Sequence, residues 1–192
     1  MMRIDLNETA KVLEGSDDIL LLCHSHPDGD TLGCAAALCA MLRQMGKTAG
    51  VLYNRETTEH FEQYVEQYWV ADDFDYETVV SVDLAALSLF PDNAEMFKTR
   101  VDLAIDHHPS YEGFGKESCV HPECAACGEI LCALAFALCA EVELVDGAIV
   151  DAGLHQRGGR AVRVRRDVGV DKAARVGRNG DIERQGDLFR QL

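Results

Sequence analysis

Three short segments of the chain concentrate carboxylates and imidazoles. They are His24-Ser-His-Pro-Asp28-Gly-Asp30 near the start, a lone Asp83, and Asp106-His107-His108 in the middle. Imidazole suits borderline transition metals and carboxylate suits Mg²⁺ and Mn²⁺, so a mixed set points first to Mn²⁺. Two such ions about 3.5–4 Å apart would clamp both oxygens of a phosphoryl displacement. No single residue carries that reading. An Asp directly after an apolar run is usually a helix N-cap, and Asp83 becomes a ligand candidate only in the company of the other two segments. Two adjacent histidines preceded by Asp are seldom core filler. One can ligate a metal with its ring orientation fixed by a neighbouring carboxylate, while the other faces the substrate.

Each segment follows a stretch able to position it. Residues 19–23 are a continuous apolar run bounded by turn residues, the pattern of a buried parallel strand, and Thr78–Val82 and 101–105 read as further apolar strands. Residues 31–45 are rich in Ala and Leu and stop at Gly46, which predicts a helix. Residues 48–53 read as a second strand, and residues 4–13 as a short amphipathic helix. Strand, loop, helix and strand in that order make a parallel crossover unit. The expected class is α/β, a parallel Rossmann-like sheet flanked by helices. In such sheets ligands collect beyond the carboxyl ends of the strands, where the loop 24–30 falls. The helix behind that loop aims its N-terminus at the same place, which also favours a phosphate.

Composition narrows the partners. At 192 residues the chain is one domain, or one domain and a fragment. No run of 18 apolar residues suggests a membrane span, and the N-terminus lacks a signal pattern, so a cytoplasmic protein is expected. Its eight cysteines then read as reduced, buried, small hydrophobes. Cys124-Ala-Ala-Cys127 lacks a second Cys pair at zinc-ribbon spacing and reads better as part of an apolar helix over 124–140, with Glu129 near its start. Residues 56–77 are acidic and aromatic. A substrate-stacking role there competes with the plainer reading, packing on the sheet. Residues 1–150 hold 8 Lys and Arg against 27 Asp and Glu, whereas residues 151–192 hold 10 against 6. An acidic body argues against binding long duplex DNA. It leaves room for a short anionic substrate, because bound cations reverse the local field.

The spacing His24-x-x-Pro-Asp28-Gly-Asp30-x-x-Gly33, then Ser81-Val-Asp83, then Asp106-His-His-Pro-Ser110 with Glu112-Gly-Phe-Gly115, resembles the DHH phosphoesterase family. Ala125-Ala-Cys-Gly-Glu129 resembles the helix start that follows in its members. The nearest resemblance is to small bacterial DHH/DHHA1 enzymes that degrade very short RNA and remove the 3′-phosphate from 3′-phosphoadenosine 5′-phosphate. The likeness implies a DHH domain over residues 1–150 and a two-ion Mn²⁺ site. His24 and Asp28 would hold the first ion, Asp30 and His107 the second, and Asp83 would bridge them. Asp106 would orient a histidine, and His108, with Ser110, would contact the scissile phosphate as an activated water attacks it. Implied partners are short oligonucleotides or nucleotide phosphates, with a homodimer left open. Cyclic dinucleotides and pyrophosphate or polyphosphate are alternatives on the same core.

The sequence departs from that pattern in places. Cys34 stands where the family usually has Ser. No Asp-Thr-Gly motif follows the Glu129 helix, and Asp146 and Asp151, the nearest carboxylates, come early for it. The DHHA1 domain is expected to be absent. Residues 151–192 form a basic tail unlike the family, expected to be irregular or helical. Within it, 153–180 is Arg- and Gly-rich, read as a shifted reading frame or a degenerate segment, with a flexible or RNA-binding tail as alternatives. Residues 182–189 again faintly resemble a family helix. A catalytically impaired fragment that only binds metal or a partner is the competing function.

Overall fold

The computed structural model describes residues 2–71, 73–138, 174–176 and 182–184. In chain order the main elements are β1 (Met2–Arg3), α1 (Leu6–Gly15), β2 (Ile19–Leu22), α2 (Gly29–Gln44), β3 (Ala49–Leu52), α3 (Glu59–Val65), β4 (Trp69–Val70), β5 (Thr78–Val82), β6 (Leu103–Asp106), β7 (Glu117–Val120) and α4 (Cys127–Ala137). The seven strands form one sheet in the order β1-β7-β6-β5-β2-β3-β4. Every pairing in it is parallel. The α/β expectation therefore holds.

A parallel sheet must have both faces covered, and alternation along each strand divides the side chains between them. Ile19 and Leu21 of β2, Val80 and Val82 of β5, and Leu103 and Ile105 of β6 join one core with the apolar sides of α1, α2 and α4. Leu20, Leu22, Val79 and Ala104 belong to a second core. Among the described residues that second face is covered by 3₁₀ turns over Leu87–Leu89 and Asp92–Phe97 and by Phe90, Tyr111 and Phe114, without an α-helix.

Local chemistry moves several boundaries. The first helix starts at Leu6 because Asp5 and Glu8 form a reciprocal capping box, each carboxylate accepting the other's backbone N–H. Ile4, outside the helix, is still buried. The second helix starts at Gly29, two residues early, because the Asp28 side chain accepts from the N–H groups of Asp30 and Thr31. Three strands were not anticipated. β1 and β4 have two residues each, and β7 reads Glu-Ser-Cys-Val, with no apolar run to mark it. In the tail, Ile182–Arg184 pairs antiparallel with Ala174–Val176, so the helix-like reading of 182–189 begins in a strand. The remaining expectations for 151–192, including Asp151, lie outside the described residues, as does Asp146.

Gly50 shows how tightly the β3 edge is packed. A Cβ placed there would lie 2.3 Å from Val70 Cγ1. Gly50→Ala should therefore destabilise the protein by about 1–3 kcal/mol through overpacking. Val70→Ala in the same chain should return most of that loss. Equal melting temperatures for the single variant and the parent would contradict the packing described.

Candidate metal centre

The chain runs from β2 outward to β3 and β4, then returns to place β5 on the other side of β2. That reversal opens a crevice at the carboxyl ends of β2 and β5, the usual ligand position in open parallel sheets. The 24–30 loop leaves one wall and Asp83 the other. β6, next to β5, ends at Asp106 and delivers His107 and His108 to the same edge.

Asp83 is the centre of the arrangement. It is 3% exposed and its φ of 55° is left-handed, an unusual conformation for a residue with a side chain. Its N–H donates to the Ile105 carbonyl at 2.9 Å. It starts no helix, so the usual N-cap role for an Asp after a strand does not apply. The Thr31 hydroxyl donates to the Val82 carbonyl at 2.9 Å, tying the first turn of α2 to the end of β5. Asp83 Oδ1 is buried and has no hydrogen-bond partner among the described residues. Burial, and then the nearby Asp30, Asp106 and Asp28 carboxylates, push its pKa up to about 9.

Backbone carbonyls orient two imidazoles toward it. His24 Nδ1 lies 2.6 Å from the Ser25 carbonyl and His107 Nδ1 lies 3.2 Å from the Cys124 carbonyl. A carbonyl can only accept, so each Nδ1 carries the proton and each Nε2 keeps its lone pair. His24 Nε2 is 3.8 Å from Asp28 Oδ1, and His107 Nε2 is 3.5 Å from Asp83 Oδ1. Burial alone would lower the His24 pKa, but the Asp28 carboxylate and the Ser25 carbonyl outweigh it and raise it. The same contact with His24, reinforced by the backbone bonds, lowers Asp28 to about 2 despite its partial burial.

Ligand atoms of His24, Asp28 and Asp83 all lie within 4.8 Å of one another, as do those of Asp83, His107 and His108. Asp83 is common to both sets. In the second set His108 differs from His107. Its Nδ1 is 2.8 Å from Asp106 Oδ1, and its backbone N–H donates to the same oxygen at 2.7 Å. Asp106 thus holds the ring by Nδ1–H and leaves Nε2 as the free atom, while Asp106 Oδ2 stays buried without a partner among the described residues. His107 Nε2 is accordingly the better ligand nitrogen of the pair.

Asp30 differs from the simple ligand expected of it. Its Oδ2 accepts from the Cys127 N–H at 2.8 Å, and its Oδ1 from the Gly128 N–H at 3.0 Å and the Cys34 thiol at 3.3 Å. It caps α4 from across the sheet edge and keeps one uncommitted position on Oδ2, 3.8 Å from His107 Nε2. Burial keeps the Cys34 thiol protonated as a donor. The α2 N-terminus, expected to favour a phosphate, is occupied by the Asp28 carboxylate. Ser110 is exposed in a turn closed by the Tyr111 N–H on the His108 carbonyl, and it belongs to neither set. Glu129 supports its own helix start, accepting from the Ala125 N–H.

Two residues were missed. Buried Asn54 donates from Nδ2 to the His24 carbonyl at 2.9 Å, and Glu56 accepts from the His26 N–H at 2.7 Å. His26 also has a left-handed φ of 51°. The available signal was an Asn just beyond the strand read over 48–53, at the sheet edge where the site lies.

The donor set fits divalent cations. Two buried carboxylate oxygens lack donors, and two imidazole nitrogens with free lone pairs lie at the same edge. His24, Asp28, Asp83 and His107 would hold such ions, with Asp30 contributing through Oδ2. Among the described residues no helix is long and apolar enough to cross a membrane.

Comparison with known proteins adds two findings. The sequence model of the DHH family, N-terminal domain, matches residues 18–154. Among solved structures, an exopolyphosphatase-related protein from Bacteroides fragilis superposes with a TM-score of 0.65 at 20% identity, over 79% of this chain and 49% of that one. The chain therefore spans about half the length of that protein, and the likeness is one of fold.

Proposed function

This chain belongs to the DHH family of metal-dependent phosphoesterases, and on that premise we propose that it hydrolyses short oligoribonucleotides or 3′-phosphoadenosine 5′-phosphate with Mn²⁺. The observation that supports this most is Asp83, a residue common to both sets of ligand atoms, whose buried Oδ1 has no hydrogen-bond partner among the described residues. When bound, a pair of divalent ions supplies polarisation of the phosphoryl group and a water acidified for in-line attack. The chain's own residues supply the rest. His24 and His107 present Nε2 lone pairs because their Nδ1–H groups are held by carbonyls. Asp106 holds His108 by its Nδ1–H, and the ring in its imidazolium form would donate from Nε2 to a scissile phosphate and offset the charge that builds there. Ser110 is proposed as an additional phosphate contact. The chain is proposed to work in the cytoplasm, with a homodimer as one form.

The test is metal-stripped protein given Mn²⁺ and a dinucleotide, with mononucleotide release measured. His107→Ala should lower the rate by about 10²–10³-fold, the loss typical of one preorganised electrostatic contact. No release from any nucleotide with Mn²⁺ present would sink the reading. A second reading, hydrolysis of polyphosphate or pyrophosphate on the same core, is favoured by the name of the Bacteroides fragilis relative. Tripolyphosphate run beside the dinucleotide separates the two.

A further inference from the structure

At the open edge of the sheet, along β4 and just past the end of β3, Tyr53, Arg55, Trp69, Val70 and Ala71 line a cavity of about 340 Å³. That volume lies within the range of small-molecule sites, about 300–1,000 Å³. The Tyr53 and Trp69 rings meet edge to face at 4.7 Å between centroids and 83° between planes. Tyr53 is 41% exposed although it packs on the indole. Arg55 is exposed and has no hydrogen-bond or ion-pair partner among the described residues. An aromatic pair beside an uncommitted guanidinium, in an otherwise acidic body, suits one kind of guest. That guest is a planar heterocycle carrying a phosphate: one ring stacks on its face, the other meets its edge, and the guanidinium takes its charge.

The cavity is tied to the candidate metal centre. The strip that carries Tyr53 and Arg55 also carries Asn54 and Glu56, which bond the backbone of His24 and His26. β3 is the direct neighbour of β2, and β4 the next strand out. The cavity therefore stands one to two strand spacings from the His24 loop, about 5–10 Å. A nucleotide with two phosphates, one at the centre and one on Arg55, would reach it with its base.

We propose that the Tyr53–Arg55–Trp69 cavity is a nucleobase subsite, which selects nucleotides over inorganic polyphosphates. This rests on the phosphoesterase reading for its purpose, but its test does not involve hydrolysis. Trp69 is the chain's single tryptophan, so selectively excited indole fluorescence reports on this cavity alone. The full chain is titrated in EDTA with AMP, adenosine, ribose 5-phosphate and tripolyphosphate. AMP should quench saturably, adenosine more weakly, and the two base-free compounds not at all. Tyr53→Ala should raise the Kd for AMP about tenfold, the loss of one stacking partner. Arg55→Ala should bring AMP to the affinity of adenosine and leave adenosine unchanged. Thermal melting of each variant establishes that it is folded.

Absence of saturable quenching by AMP overturns the proposal, as does equal quenching by tripolyphosphate. Unchanged AMP affinity in Tyr53→Ala removes the stacking contact, and in Arg55→Ala the phosphate contact. A catalytically silent protein that passes this titration keeps the subsite and loses the activity. An active one that fails it loses only the subsite.

Discussion

In metal-free buffer at pH 8, Asp83→Asn should melt about 4–8 °C above the parent, a gain of about 2 kcal/mol, while its Mn²⁺-dependent activity falls by about 10³-fold or more. The two effects have one origin. Asp83 Oδ1 is buried without a donor among the described residues, and three other carboxylates surround it. Burial and their repulsion push its pKa from 3.8 up to about 9. The folded protein therefore retains a proton that the unfolded chain releases near pH 4. This contribution is fully present below that pH and declines as pH rises toward about 9. An Asn has no charge to bury, so its advantage should be small near pH 4 and largest at the alkaline end. Divalent ions compete with that proton, so Mn²⁺ should raise the melting temperature of the parent more at pH 8 than at pH 5.5. Thermal melts across pH, with and without Mn²⁺, check all of this. An Asp83→Asn protein less stable than the parent at pH 8 without metal would show that the carboxylate has a partner and would remove the reason to place a cation there.

Asp30→Ala should have the opposite effect on stability. Asp30 accepts from the first backbone N–H groups of α4 and from the Cys34 thiol. Truncating it leaves those buried donors unsatisfied and removes a negative charge from a helix N-terminus. The cost is about 2–4 kcal/mol, or about 6–12 °C in melting temperature. The loss should appear without metal and persist with it. Asp30→Asn keeps one carbonyl acceptor and should recover part of it. Two carboxylates in one cluster would then be told apart by the sign of a melting shift. Asp30→Ala melting within a degree of the parent would mean that the contacts to α4 contribute nothing.

The central strands and the three ligand segments were legible because burial on both faces leaves a mostly apolar run. A polar residue at its end then stands out, as His24, Asp83 and Asp106 do. Less visible was what depends on distant partners. The hold of Asp30 on α4 was hidden because its α4 partners lie 97 and 98 residues away in the chain. Residues 29 and 30 looked like loop because Gly and Asp are poor helix formers, yet the Asp28 side chain starts the helix ahead of them. β7 escaped notice because Ser118, though 1% exposed, is polar and is satisfied by the Tyr111 hydroxyl. Asn54 gave only its position after a strand, since its bond to the His24 carbonyl exists only once β2 and β3 are side by side.

The place of β1 at the far edge of the sheet bears on how the chain is made. Met2 and Arg3 pair with Glu117 and Ser118, and the Arg3 guanidinium reaches the Val120 carbonyl across 117 residues of sequence. At a synthesis rate of about 5–20 residues per second, that partner leaves the ribosome on the order of 6–25 s after the N-terminus. Over that interval β2, β3 and β5 can assemble, but β1 has no edge to join. Within the seven-stranded sheet, the strand that comes first in sequence is thus the last to be placed.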